Sequence, residues 1–166
     1  MKKLFFIACL FVINICFSQT SQKETVLKQA YEMRQAFMNK NYDVFSSYVH
    51  EGVIKMMGGK KKMINVSVAA MDTMNKQGYH FKKVDFSDVS DIITVKNEQQ
   101  AVVHQKIQMD TPKGNINADY YMIAVSGNNG KNWKFIDTSG KDIQTMRKYF
   151  PNLSSQLVIP KKKISK

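Results

Sequence analysis

The sequence predicts an α+β fold in which three helices come first and pack on a mainly antiparallel sheet. Three observations carry that expectation. Apolar residues recur at helical spacing in segments up to residue 77, and from residue 79 onward they alternate with polar ones. The alternating runs are separated by turn-forming pieces such as Thr111-Pro112-Lys113-Gly114 and Gly127-Asn128-Asn129-Gly130.

Over residues 24–39, Val26, Leu27, Ala30, Tyr31, Arg34, Phe37 and Met38 recur at i, i+3 and i+4, an amphipathic helix that carries Arg34 on its apolar stripe. Residues 43–49 form a short second helix, with Asp43 as its cap and Phe45, Tyr48 and Val49 turned inward. Residues 53–57 read as a short apolar strand stopped by Gly58-Gly59. Residues 60–77 then carry Met63, Ile64, Val66, Val68, Ala70, Met71 and Met74 in a third helix, which Gly78 ends. Strands are expected over 79–89, 99–110, 117–126 and 132–137, and a last short helix over 142–150 before Pro151.

The start of the chain reads as an export signal. Lys2 and Lys3 precede an apolar run, residues 4–15, interrupted by Asn14 and shorter than the ~20 residues of a membrane span. Cys16 and Ser18 stand at minus three and minus one of a cut before Gln19. A lipid-modified Cys16 is the rival, but Ile15 stands where a lipoprotein signal has a small residue. Residues 1–18 are thus a signal peptide and 19–166 a single domain, with its core over about 24–150 and a basic tail over 151–166. Both cysteines, Cys9 and Cys16, leave with the signal, which excludes a disulfide or a thiolate nucleophile in the mature chain.

The signal takes two lysines and no acid with it, so the net charge falls from +12 to +10. Such a surface suits an anionic envelope. Its lysines are not interleaved with aromatics along one face, which argues against nucleic acid. Lys60-Lys61-Lys62 reads as a helix start and Lys161-Lys162-Lys163 as a frayed tail.

Helices around one early strand, followed by a long antiparallel meander, is an order that resembles the nuclear transport factor 2-like family, also called SnoaL-like or cystatin-like. Gln100-Ala101-Val102-Val103, the run from Tyr121 to Ser126 and the run from Gly130 to Asp137 are similar to exported Bacteroidetes-type members without assigned activity. Asn41-Tyr42-Asp43 and Tyr48-Val49-His50 resemble the family's passage from first helix to first strand. The resemblance covers about residues 24–137 and implies a strongly curved, cone-shaped sheet wrapped against the helices, with a pocket in the hollow.

On the strand over 99–110, Ala101, Val103, Gln105, Ile107 and Met109 share one face, so Gln105 is a polar residue among apolar ones. Its amide either meets a ligand or satisfies a neighbouring polar group. Trp133, Phe135 and Asp137 share a face of the last strand, where Asp137 is either a carboxyl prepared for proton transfer or the cap of the turn Thr138-Ser139-Gly140. Tyr31 lies on the inner stripe of the first helix, the place from which isomerases of the resembled family supply a phenol; the plain alternative is core packing. Met109 and Met122, on the sheet, are candidates for a deformable pocket lining, and other inward methionines read as core. His50, His80 and His104 lack metal-ligand spacing, His50 reading as a turn residue or pocket rim and His104 as solvated. Neither a metal nor a cofactor is expected.

The leading functional expectation is an exported, noncatalytic binding module with Tyr31, Gln105, Met109, Met122 and Asp137 at its site. An isomerase or dehydratase using Tyr31 and Asp137 is the alternative, and a basic envelope interaction protein with a vestigial pocket is a third. The expected partners are a small apolar or amphipathic ligand, an anionic envelope surface and, in a homodimer, a second copy of the chain.

Overall fold

The computed structural model describes residues 2–165, with side chains from residue 19 onward. The predicted signal and its cleavage site therefore fall largely outside the described side chains. Helix α1 spans Lys2–Met38, well beyond the expected 24–39, since no glycine or proline interrupts the chain there. It is followed by α2 (Tyr42–Tyr48), α3 (Glu51–Met56) and α4 (Lys60–Lys76).

Two local expectations are corrected. Residues 53–57 lie in a helix and its C-cap rather than a strand, because the His50 Nδ1 accepts from the Gly52 N–H at 3.0 Å and starts α3. The short extended contact comes one step earlier, where Val49 bridges Phe135 and the His50 N–H donates to the Phe135 carbonyl at 3.0 Å. The cap of α2 is Asn41, whose side chain accepts from the Val44 N–H, and Asp43 sits inside the first turn, ion-paired with Lys60 at 2.6 Å. Gly78, at φ 79°, does end the third predicted helix, a conformation that costs glycine little.

Strands β1 (His80–Val89), β2 (Ile93–Val95), β3 (Glu98–Thr111), β4 (Gly114–Ser126), β5 (Lys134–Asp137) and β6 (Lys163–Ser165) form one sheet, and α5 (Ile143–Tyr149) precedes β6. The order is β1-β3-β4-β5, with β2 also on β3 and β6 on β4, and every strand pair is antiparallel. Register shifts between Phe81 and Lys83 and between Phe86 and Asp88 interrupt the β1–β3 ladder. Such bulges bend a strand and raise its local twist, and they contribute to the curve of the sheet.

Alternation along β3 and β4 divides the interior into two cores. Ala101, Val103, Met122 and Ala124 face α1, where they join Val26, Ala30, Met33, Phe86, Trp133 and Phe135. Their neighbours Val102, Ile123 and Val125 face the other way and pack with Met146, Leu153 and Leu157. The final segment is thus not a frayed basic tail. Leu153 and Leu157 are buried, and Lys163–Ser165 pairs with β4. Fully buried Gln100 fastens this segment: its Oε1 accepts from the Ser154 N–H at 2.8 Å, and its Nε2 donates to the Asn152 carbonyl at 3.1 Å.

Among the described residues, no helix is long and apolar enough to cross a membrane.

Candidate functional site

A cavity of about 440 Å³ opens between the α1 face of the sheet and the helices. Its floor is the sheet: Phe81, Val84 and Phe86 from β1, Gln105 and Ile107 from β3, Met122 from β4, and Phe135 and Asp137 from β5. One wall is α1, through Met33, Arg34 and Phe37. The opposite wall is α4, where Met63, Ser67 and Met71 lie at i, i+4 and i+8 and so form one line along the helix. Phe45 and Val49 close the gap beside α2.

Four of the lining residues carry polar side chains: Arg34, Ser67, Gln105 and Asp137. Gln105 makes no side-chain hydrogen bond within the described residues, so its amide is left for whatever enters the cavity. Asp137 is exposed, and its Oδ1 accepts from the Ser139 N–H at 2.6 Å, which is the turn-capping role. Arg34 donates through Nη1 to the Val84 carbonyl and stands over the Tyr31 ring, 5.1 Å from its centre. Its Nε is buried without a partner.

Of the residues singled out from the sequence, Gln105, Met122 and Asp137 come together on the cavity floor. Tyr31 does not join them. Its hydroxyl donates to the Phe86 carbonyl at 3.2 Å and accepts from the Phe86 N–H at 3.3 Å, and its ring packs edge-on against Phe86, 5.2 Å away. Both hydroxyl functions are thereby committed to a bulged stretch of β1, with the ring beside a shallow outer groove that includes Lys28, Glu32 and Tyr48. Met109 is half-buried near the far end of the β3–β4 hairpin, paired with Phe81 and Ile116, and does not line the cavity.

Sequence reasoning missed the methionines of α3 and α4 as lining, because helical spacing alone does not separate a cavity wall from a packed core. Met57, the C-cap of α3, and Met63 and Met71 of α4 all reach the cavity, whereas Met56 is exposed. Arg34 was visible as the one cation on an apolar stripe, and that was the available signal.

On the opposite sheet face His104 is not solvated as expected. Its Nε2 lies 2.7 Å from the Asp119 Oδ1 and its Nδ1 3.1 Å from the Ser87 Oγ, and its ring stacks on Tyr121 at 5.1 Å. These four residues come from β1, β3 and β4, so no local sequence signal joins them. None of them lines the cavity. His50, besides capping α3, packs edge-on against Phe150. Burial holds its imidazole pKa below the ordinary value, outweighing the opposing pull of Glu98 and Glu51. Burial and the hydrogen bond to Glu32 push the Tyr48 phenol up to about 12.

Among the described residues no group of three or more His, Cys, Asp or Glu side chains is placed to hold a metal ion. Neither a protein-family model nor a curated protein sequence matches the chain.

Proposed function

We propose that the chain is an exported, noncatalytic binding module of the nuclear transport factor 2-like kind that holds a small apolar or amphipathic molecule between the α1 face of its curved sheet and the helices. One observation carries the reading: a cavity of about 440 Å³ walled by methionine, phenylalanine and aliphatic side chains, with the Gln105 amide unpaired on its floor. A mostly apolar hollow with a few convergent polar groups is the usual form of a small-molecule site. Methionine suits such a wall because an unbranched thioether adapts to irregular shapes. The sequence resemblance and the signal-like first 18 residues support the family and the export.

The test is titration of residues 19–166 with N-phenylnaphthylamine, a neutral apolar fluorophore. Saturable one-to-one binding is expected, and Met71→Trp, which fills the cavity from α4, is expected to abolish it with the far-UV circular dichroism unchanged. Absence of saturable binding overturns the reading. Asp137→Asn addresses the isomerase or dehydratase alternative: loss of turnover of a ketone-type substrate with its affinity intact would put an enzyme in place of the binding module.

A further inference from the structure

Resting on that binding reading, we propose that the ligand is an anionic amphiphile whose carboxylate is held by Arg34 while its hydrocarbon body lies along the methionine line of α4.

Among the described residues lining the cavity, Arg34 is the only cation. Among the described residues no ion pair includes it. Its direct contacts are one carbonyl, from Val84, and the face of Tyr31, and the Lys83–Asp85 ion pair stands nearby. Nε is buried and unpartnered, and Nη2 makes no hydrogen bond to the described residues. A guanidinium withdrawn from water is normally matched by a carboxylate, because the charge is costly to bury alone. This one is half-buried, at the edge of an apolar hollow, and lacks that match. Asp137, the single carboxylate among the described residues lining the same cavity, is exposed, is engaged with the Ser139 N–H and makes no ion pair with Arg34. The missing counter-charge is therefore one a ligand would bring. Arginine suits a carboxylate especially well, since its planar donors match the two oxygens.

The remaining walls set the body of the ligand. Met63 and Met71 on α4 face Phe81, Phe86, Ile107 and Met122 on the sheet, a lining that favours hydrocarbon. The roughly 440 Å³ of the cavity lies in the range of small-molecule sites and has room for a medium-chain monocarboxylate, of which decanoate is a representative. The net charge of +10 expected of the mature chain favours the approach of an anion.

The experiment compares decanoate with decanol as displacers of N-phenylnaphthylamine from the mature protein and from Arg34→Met, which retains apolar bulk. In the wild type, decanoate is expected to displace the fluorophore at a concentration at least roughly tenfold lower than decanol, the scale of one charge-assisted pair. In Arg34→Met the two are expected to be equal. Equal potency in the wild type overturns the anionic assignment and leaves the cavity reading standing. A preference that survives Arg34→Met places the headgroup elsewhere, on the lysine-rich surface, and also overturns it. Failure of the fluorophore itself to bind removes the cavity reading. A second measurement guards against a variant that does not fold. The chain has two arginines, Arg34 and Arg147, so the nitrogen-15 guanidinium spectrum of the wild type is simple. The Arg34 Nε resonance is expected to shift with decanoate and stay in place with decanol, and an unmoved resonance under saturating decanoate overturns the proposal.

Discussion

Trp133 provides the most direct test of how the fold is held together. It is 1% exposed, packs with Val26, Ala30 and Phe135, and its indole Nε1–H donates to the Gly130 carbonyl at 3.0 Å. Its backbone N–H donates to the Gln29 Oε1 at 2.7 Å, so the residue joins α1, the turn before β5 and the sheet. An indole buries on the order of 200 Å², and at ~25 cal/mol per Å² its removal costs about 5 kcal/mol. Residual compactness of the unfolded chain lowers this to about 4 kcal/mol, within the ~3–5 range of large-to-small core substitutions. For a chain of this size such a loss lowers Tm by about 8–16 °C. The assay is urea unfolding of residues 19–166 followed by far-UV circular dichroism, with Trp133→Phe alongside Trp133→Ala to separate the lost hydrogen bond from the lost volume. Because Trp133 is the single tryptophan, native fluorescence adds an independent check, and a blue-shifted emission is expected. A cost below about 1 kcal/mol for Trp133→Ala, or emission at the wavelength of free tryptophan, would refute the burial and the packing of β5 on α1.

Export predicts that mass spectrometry of the protein released by its host finds Gln19 at the N-terminus, and a start at Met1 or a lipid on Cys16 contradicts it. Gln100→Leu is expected to cost about 2–4 kcal/mol by leaving the Ser154 N–H and the Asn152 carbonyl unpaired, with faster hydrogen exchange concentrated in residues 151–160; uniform exchange would refute the fastening role. His50 has a folded pKa below its ordinary 6.5, so below that pH the unfolded chain takes up the proton first and stability falls with falling pH. His50→Asn keeps a capping side chain without that titration, and the decline in urea midpoint below pH 6.5 is expected to be shallower than in the wild type; an unchanged slope would contradict it.

The sequence by itself determined the longer elements and their order. Helical spacing in 24–39 and 60–77 and alternation in 79–89, 99–110 and 117–126 are properties of which residues must share a face, and the face is what burial selects. Alternation likewise put Gln105 among apolar neighbours, and Met122 and Asp137 on strands that meet beside it. Short segments escaped this logic. Residues 53–57 are apolar enough for either state, and the cap in which His50 Nδ1 accepts from the Gly52 N–H starts the helix that contains them. β6 is a three-residue strand whose partner on β4 lies more than forty residues earlier, so nothing local marks it. Tertiary structure alone decided that Tyr31 spends its hydroxyl on the backbone of Phe86, that Leu153 and Leu157 cover the second sheet face, and that Arg34 borders the cavity without an ion pair among the described residues. In each case the deciding partner is distant in the chain, and one residue's pattern cannot show which distant group will satisfy it or leave it unsatisfied.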